Sequence, residues 1–162
     1  MEIYTDQFKA LSDKTRLKII WLLSSAKAEL CVCEIMDTIE DSHCNISRHL
    51  KILKTVKLVK ENKRGKWVYF GLASPKDPYH EALLQSVSSI PEEHFFNEAK
   101  RLKLRLSMRE EGKCVNGLKS EKWARALDLL TTMDTITMDK IKTGEKSYYD
   151  VRPTPRSGAE GP

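Results

Sequence analysis

The chain has no apolar run approaching the ~20 residues that a membrane-spanning helix needs, and 31% of its 162 residues are charged. Its first residues, MEIYTDQF, are acidic and few, unlike a secretory leader. A cytoplasmic protein is the expectation. No internal repeat is visible. There is no Gly-rich phosphate loop, no C-x-x-C and no nucleophile–base pair at recognisable spacing, so an enzyme is not expected. Cysteine is scarce, at four: Cys31, Cys33, Cys44 and Cys114. In a cytosolic chain, clustered cysteines serve metal or redox chemistry more often than structural disulfides.

What is present is a basic excess in one place. The net charge is only +5, but residues 43–66 hold Arg48, Lys51, Lys54, Lys57, Lys60, Lys63, Arg64 and Lys66 against Glu61 alone. That local excess is the electrostatic footprint of a nucleic-acid surface. The same stretch carries the strongest patterns in the chain. Val32, Ile35, Met36 and Ile39 repeat at i, i+3, i+4, i+7, an apolar stripe on a short helix. Glu40-Asp41-Ser42 breaks it, and Asp41 or Ser42 can cap the next helix. Ile46, Leu50 and Leu53 then form a second stripe, whose other faces are polar and basic. Two short helices joined in this way read as a helix-turn-helix. Beyond them, Leu58 and Val59 on one side and Trp67–Leu72 on the other flank Lys63-Arg64-Gly65-Lys66, which predicts a hairpin with a basic turn. The expected fold is mainly α with a small β-hairpin wing: a winged helix-turn-helix.

The surrounding chain supplies more helices. Ile3–Leu11 predicts a first one, and Ser12-Asp13 can cap a second. Leu17–Leu23 is apolar nearly all round, which predicts a central buried helix, with Ser24–Ala28 as a loose connection. Tyr79–Ile90 reads as a helix ended by Pro91. A further helix is expected from Glu92, with Phe95, Ala99, Leu102 and Leu106 on one face and Lys100, Arg101, Lys103 and Arg105 on the other. Alternation over 102–108 also fits a strand. Gly112–Gly117 reads as a flexible joint and Ser120–Thr131 as a last helix. The pattern fails after Asp134, and Val151–Pro162, with three Pro and two Gly, is expected to be disordered. The expected division is a DNA-binding and sensor domain over 1–90, a helical dimerisation extension over 91–114, and a C-terminal extension over 115–162 that is largely flexible after about 134.

Three motifs in order, Leu30-Cys31-Val32-Cys33-Glu34, Ile46-Ser47-Arg48-His49-Leu50 and Lys66-Trp67-Val68-Tyr69-Phe70, resemble the ArsR/SmtB family of metal-responsive winged-helix repressors. The resemblance covers roughly Tyr4 to Ile90. It implies a homodimer joined by the first helix and the helices after the wing, binding a double-stranded operator, an inverted repeat, and needing no permanent cofactor. Ser42, His43, Asn45, Ser47, Arg48, His49, Lys51, Lys54, Lys63, Arg64 and Lys66 are the expected DNA-facing residues. Within the LCVCE motif, Cys31 and Cys33 match the family's thiolate site. As(III) or Sb(III) is the first expectation for the inducer, with Cd, Pb and Zn as alternatives.

Two departures bear on the sensor. Some arsenic repressors carry a third Cys three residues after the pair, where this chain has Met36. The family's other site uses D-x-H spacing on the helix after the wing. Asp77 and His80 are three apart and His94 stands alone, so His80 and His94 read as ordinary surface or interface residues. On a regular helix Cys31 and Cys33 would point about 200° apart, which makes it hard for both to grip one ion while the helix is intact. Both would sit in its first turn, where free N–H groups favour thiolate. Cys44 would lie near the far end of a helix roughly 15 Å long. Cys114, after a Gly, could swing back or cross to the partner subunit, and is the better third ligand. The rival readings are a thiol redox-responsive regulator and a winged helix used for protein–protein contact.

Overall fold

The computed structural model describes residues 1–115, 117 and 120–142, apart from the side chains of 138–142. Two compact units divide the chain, Met1–Trp123 and Ala124–Pro162. The elements in order are α1 (Glu2–Leu11), α2 (Lys14–Ala26), β1 (Leu30–Cys31), α3 (Val32–Ile39), α4 (His43–Thr55), β2 (Val59–Arg64), β3 (Trp67–Leu72), α5 (Pro78–Ser88), a 3-10 turn (Glu92–Phe95), α6 (Phe96–Ser107) and α7 (Glu121–Lys142). In the second unit, the described residues all belong to α7. Among the described residues no helix is long and apolar enough to cross a membrane.

Helix α2 is the centre of the core, as its all-round apolarity predicts: Ile19, Ile20 and Leu22 are fully buried. Asp13 caps it by accepting from the Arg16 N–H at 2.9 Å, which occupies one of the free donors of the first turn. The helix runs through the expected break at Ser24 and stops at Lys27, whose φ of 49° is left-handed. Serines cost a helix little, whereas a left-handed residue ends it. Ile35 and Ile39 of α3 and Ile46, Leu50 and Leu53 of α4 face this core. Glu40, at φ 61°, closes α3, and the Ser42 hydroxyl accepts from the Asn45 N–H at 3.2 Å to open α4.

The wing pairs β2 with β3 in antiparallel register, Arg64 opposite Trp67. Gly65 turns the hairpin at φ 59°, a left-handed position suited to glycine. A third strand, β1, pairs with β3 so that Cys31 lies opposite Tyr69. The sheet order is β1-β3-β2. Two residues are too short a run to betray a strand in sequence, and β1 was not expected.

Residues 102–107 are helical, which settles the helix-or-strand ambiguity. Phe95 stacks on Trp21 with centroids 4.4 Å apart, fixing the start of α6 against the core, and α6 lies along α3. Arg105 departs from the expected polar outer face: it is 1% exposed. His80, expected at the surface or an interface, is buried within its own chain. Helix α7 continues past Asp134 to Lys142, because a helix propagates through residues of ordinary propensity without a continuous apolar stripe. The expectation for Val151–Pro162 lies outside the described residues.

Candidate metal centre and nucleic-acid interface

Helix α4 and the wing put the basic excess on the surface. Ser42, His43, Arg48, Lys51, Lys54, Lys63, Arg64 and Lys66 are exposed, and Asn45 and Ser47 are partly so. Several already have partners. Asn45 donates its amide to the Asp41 carboxylate at 2.6 Å, and Lys54 pairs with Glu61 at 2.5 Å. Arg64 pairs with Glu29, while its guanidinium carbon lies 5.1 Å from the centre of the Tyr69 ring. Lys66 sits over Trp67. His49 is placed differently: it is largely buried, with Nδ1 3.5 Å from the Asp13 carboxylate at the start of α2. Arg48 and Lys51 are therefore the exposed cations with the freest reach outward from α4.

The cysteines are not where a continuous helix would put them. Cys31 is the N-cap of α3, extended at φ −79°, ψ 162°, and the last residue of β1. Cys33 lies inside the first turn. Because Cys31 stands outside the helix, the spacing of about 200° in a continuous helix does not describe the pair. Cys31, Cys33 and Cys114 pack in one buried cluster with Tyr69, against Trp67. The Sγ atoms of Cys31 and Cys114 are 3.1 Å apart, although the residues are 83 positions apart in sequence. Cys114 thus returns to its own chain. Its backbone N–H donates to the Tyr69 hydroxyl at 3.0 Å. Gly112, at φ 72°, makes the turn that brings the segment back. None of the four cysteines is in a disulfide, and Cys44 is exposed on α4.

A carboxylate borders the cluster. One oxygen each of Glu34 and the two thiols of Cys31 and Cys114 lie within 4.8 Å of one another. Glu34 is committed elsewhere, however. It accepts from the Cys31 N–H at 2.8 Å and from Arg109 through both oxygens, at 2.7 and 2.8 Å. Arg109 also donates to the Glu29 carbonyl. Glu34 is fully buried, and a buried carboxylate stripped of its cation is costly. We read it as a brace for Cys31 rather than as an ion donor. Two arginines of α6 reach α3 and its C-terminal cap in the same way: Arg105 meets Asp37 at 2.9 Å, and Arg101 meets Glu40 at 2.9 Å and the Thr38 carbonyl at 2.8 Å. Arg101 and Arg105 lie one turn apart on α6, and Arg109 stands just beyond its end.

The thiols do not ionise alike. Contact with Cys114 alone would lower Cys31, but the Cys33 contact, burial and the Glu34 charge outweigh it and push Cys31 up to about 12. Cys114 is raised by its contact with Cys31, by burial and by the Cys31 and Glu34 charges. Cys33 is lowered, chiefly by its contact with Cys31, against burial and the Cys114 and Asp37 charges. The helix start was expected to favour thiolate at Cys31 as well; the Cys33 contact, burial and the Glu34 charge reverse that.

A winged helix with a basic outer face, carrying a buried thiol cluster at the foot of its recognition unit, defines a DNA-binding protein of the regulatory kind. The family model described as "Bacterial regulatory protein, arsR family" matches residues 13–61. The chain is 37% identical over 98 residues to the arsenic resistance transcriptional regulator ArsR2 of Pseudomonas putida, which covers 60% of this chain and 84% of that one. It is 46% identical over 71 residues to the arsenical resistance operon repressor of Escherichia coli, with 44% and 59% covered. It is 49% identical over 65 residues to a cadmium resistance transcriptional regulatory protein CadC homolog of Staphylococcus aureus, with 40% and 53% covered. The chain thus spans about half the length of the last two relatives. It belongs to the ArsR/SmtB family of transcriptional regulators, a family of regulators and not of enzymes.

Proposed function

We propose that the chain is a transcriptional repressor that holds operator DNA with α4 and the wing, and that a soft trivalent metalloid, arsenite or antimonite, releases it by binding Cys31, Cys33 and Cys114. One observation carries this reading: Cys114 returns to within 3.1 Å of Cys31, in one buried cluster with Cys33. Three thiols then supply the soft donors that Met36 fails to supply. Thiolate sulfur selects soft ions. A set of three, with Glu34 held by Arg109, suits an ion content with three ligands. Zn and Cd ask for a fourth. Relatives named for arsenic and cadmium resistance support the ion class.

Arg48 and Lys51 serve the groove, and Lys63, Arg64 and Lys66 the backbone. The test is DNA binding by the reduced protein, titrated in turn with arsenite, antimonite, Cd, Pb and Zn. Arsenite and antimonite should release the DNA at the lowest concentrations. Release by Zn alone would reject the three-thiol reading. A second reading rests on the same 3.1 Å contact: an oxidant such as peroxide would join Cys31 to Cys114, both thiol hydrogens leaving with peroxide oxygen as water. Release by peroxide without any ion, reversed by dithiothreitol, would favour it.

A further inference from the structure

We propose that Tyr69 is the positioning residue that carries ion capture from the thiol cluster to the wing. This inference rests on the three-thiol reading above and adds the route by which it reaches DNA. Tyr69 is buried in β3, opposite Cys31 of β1 on one side and Asn62 of β2 on the other. Its hydroxyl accepts the Cys114 N–H at 3.0 Å. Its ring lies beneath the Arg64 guanidinium, 5.1 Å from carbon to centroid. One side chain therefore touches a sensor cysteine with its tip and a wing cation with its face.

The geometry of capture supplies the push. The Cys31 and Cys114 sulfurs are 3.1 Å apart. A trivalent metalloid held by thiolates through bonds of about 2.3 Å, at the pyramidal angles of roughly 100° that its lone pair imposes, sets its sulfurs roughly 3.5 Å apart. Binding must spread these two by a few tenths of an ångström. Cys31 cannot give way easily. It is paired in the sheet, and its N–H is bonded to Glu34, which Arg109 grips through both oxygens. Cys114 lies in an irregular segment that lines a cavity of ≈ 570 Å³ together with Arg64, Lys66 and Trp67 of the wing. That side has room, so Cys114 moves, and its backbone N–H draws or releases the Tyr69 hydroxyl. Arg64 and the turn then lose the position from which they meet phosphate.

The route has a signature that loss of the recognition helix alone does not share. Each phosphate contact contributes ~0.9 to the slope of log affinity against log salt. The experiment measures operator affinity across a salt series for the reduced full-length protein, with and without arsenite, for wild type and Tyr69→Phe. In wild type, arsenite should lower affinity and flatten the slope by about two contacts per subunit. Tyr69→Phe should match wild-type affinity and slope without arsenite. It should also bind arsenite with the same stoichiometry, read from ultraviolet sulfur–arsenic absorption. Its arsenite-induced loss of affinity should nevertheless be at least tenfold smaller, with no change of slope. A merely structural tyrosine would change the ion-free affinity and leave the arsenite-induced ratio intact; a lower melting temperature alone is expected under either role, because the Cys114 N–H loses its acceptor. Tyr69→Phe that leaves DNA like wild type, with the same flattening, overturns the proposal. Wild type that ignores arsenite overturns the three-thiol reading instead. If Tyr69→Phe does not fold, Arg64→Gln decides: the ion-dependent flattening should fall by about half, and an unchanged flattening overturns the route.

Discussion

In the proposed ion site Cys31, Cys33 and Cys114 share one role yet differ in how they hold their protons, and substitution separates the two properties. Replacing any one of them with Ser should leave DNA binding intact and remove arsenite release at concentrations that empty the wild-type operator, because the chelate needs all three soft donors. Band-shift titration checks it; normal release by Cys114→Ser would exclude the third ligand. Cys44→Ser should respond like wild type, since its thiol is exposed on α4. Arg48→Ala should weaken operator binding by ~1–3 kcal/mol, the size of a good base contact, while melting like wild type. Fluorescence anisotropy against operator and scrambled DNA would show it, with no loss of affinity placing Arg48 outside the groove. Of these residues, Cys31 and Cys33 were legible in sequence because the LCVCE motif is compact. Their place beside Cys114 was not, because it depends on Cys31 being a strand residue paired with Tyr69, 38 positions on, and such distant partners leave no local pattern. Arg105 was misread for a related reason. A helical wheel puts an arginine outside, and only the Asp37 carboxylate on another helix makes its burial tolerable.

The pair α3 and α6 is held by charge as much as by apolar contact. Arg105 is 1% exposed and meets Asp37, itself buried. Burial raises the Asp37 carboxyl, against the pull of Arg105. Arg105→Ala should therefore cost about 3–5 kcal/mol, the usual penalty for leaving a buried charge without its partner. Urea unfolding would measure it, and a loss below ~1 kcal/mol would mean the pair is solvated in solution. Double replacement by Leu at both positions should recover much of that loss. A second clasp joins α2 to α6 through Lys18 and Glu98. Burial alone would raise Glu98, but the hydrogen bond from Lys18, a backbone N–H and the Lys18 and Arg101 charges hold it below the usual glutamate range. A carboxyl whose folded value is depressed adds stability above its unfolded value, about 4.3. That stability is lost as the pH falls through the folded value. Between pH 5 and pH 3 wild type should lose more melting temperature than Glu98→Gln; parallel curves would remove the pair from the acid response. The helices themselves were legible wherever an apolar stripe faced the core, as in α2, α4 and α5. Their ends were set by left-handed residues such as Lys27 and Glu40, which carry no glycine to announce the turn.

At the scale of the whole molecule, one winged helix reads only half of a palindromic site, so the proposed repression needs two copies in fixed relation. The surface offers an apolar patch for that purpose. Ile3, Tyr4 and Phe8 of α1 remain exposed, Phe8 at 58%. Tyr4 meets Tyr79 at the start of α5 edge-to-face, with centroids 4.7 Å apart, and Phe8 lies 6.0 Å from the same ring. The aromatic cluster therefore continues from α1 onto α5 and ends in open solvent, where a twofold contact would cover it with the same residues from the second chain. The thiol cluster, complete within one chain, does not depend on that contact. Dimerisation and ion capture should therefore separate. Sedimentation at micromolar concentration should give close to twice the 18.6 kDa chain mass. Phe8→Glu, which adds charge to the patch without touching the core, should shift the protein toward the monomer and weaken operator binding at least tenfold. Its arsenite stoichiometry per chain should stay that of wild type. A Phe8→Glu dimer of unchanged stability would move the interface elsewhere. A monomer that no longer binds arsenite would show that the cysteines need the second subunit after all.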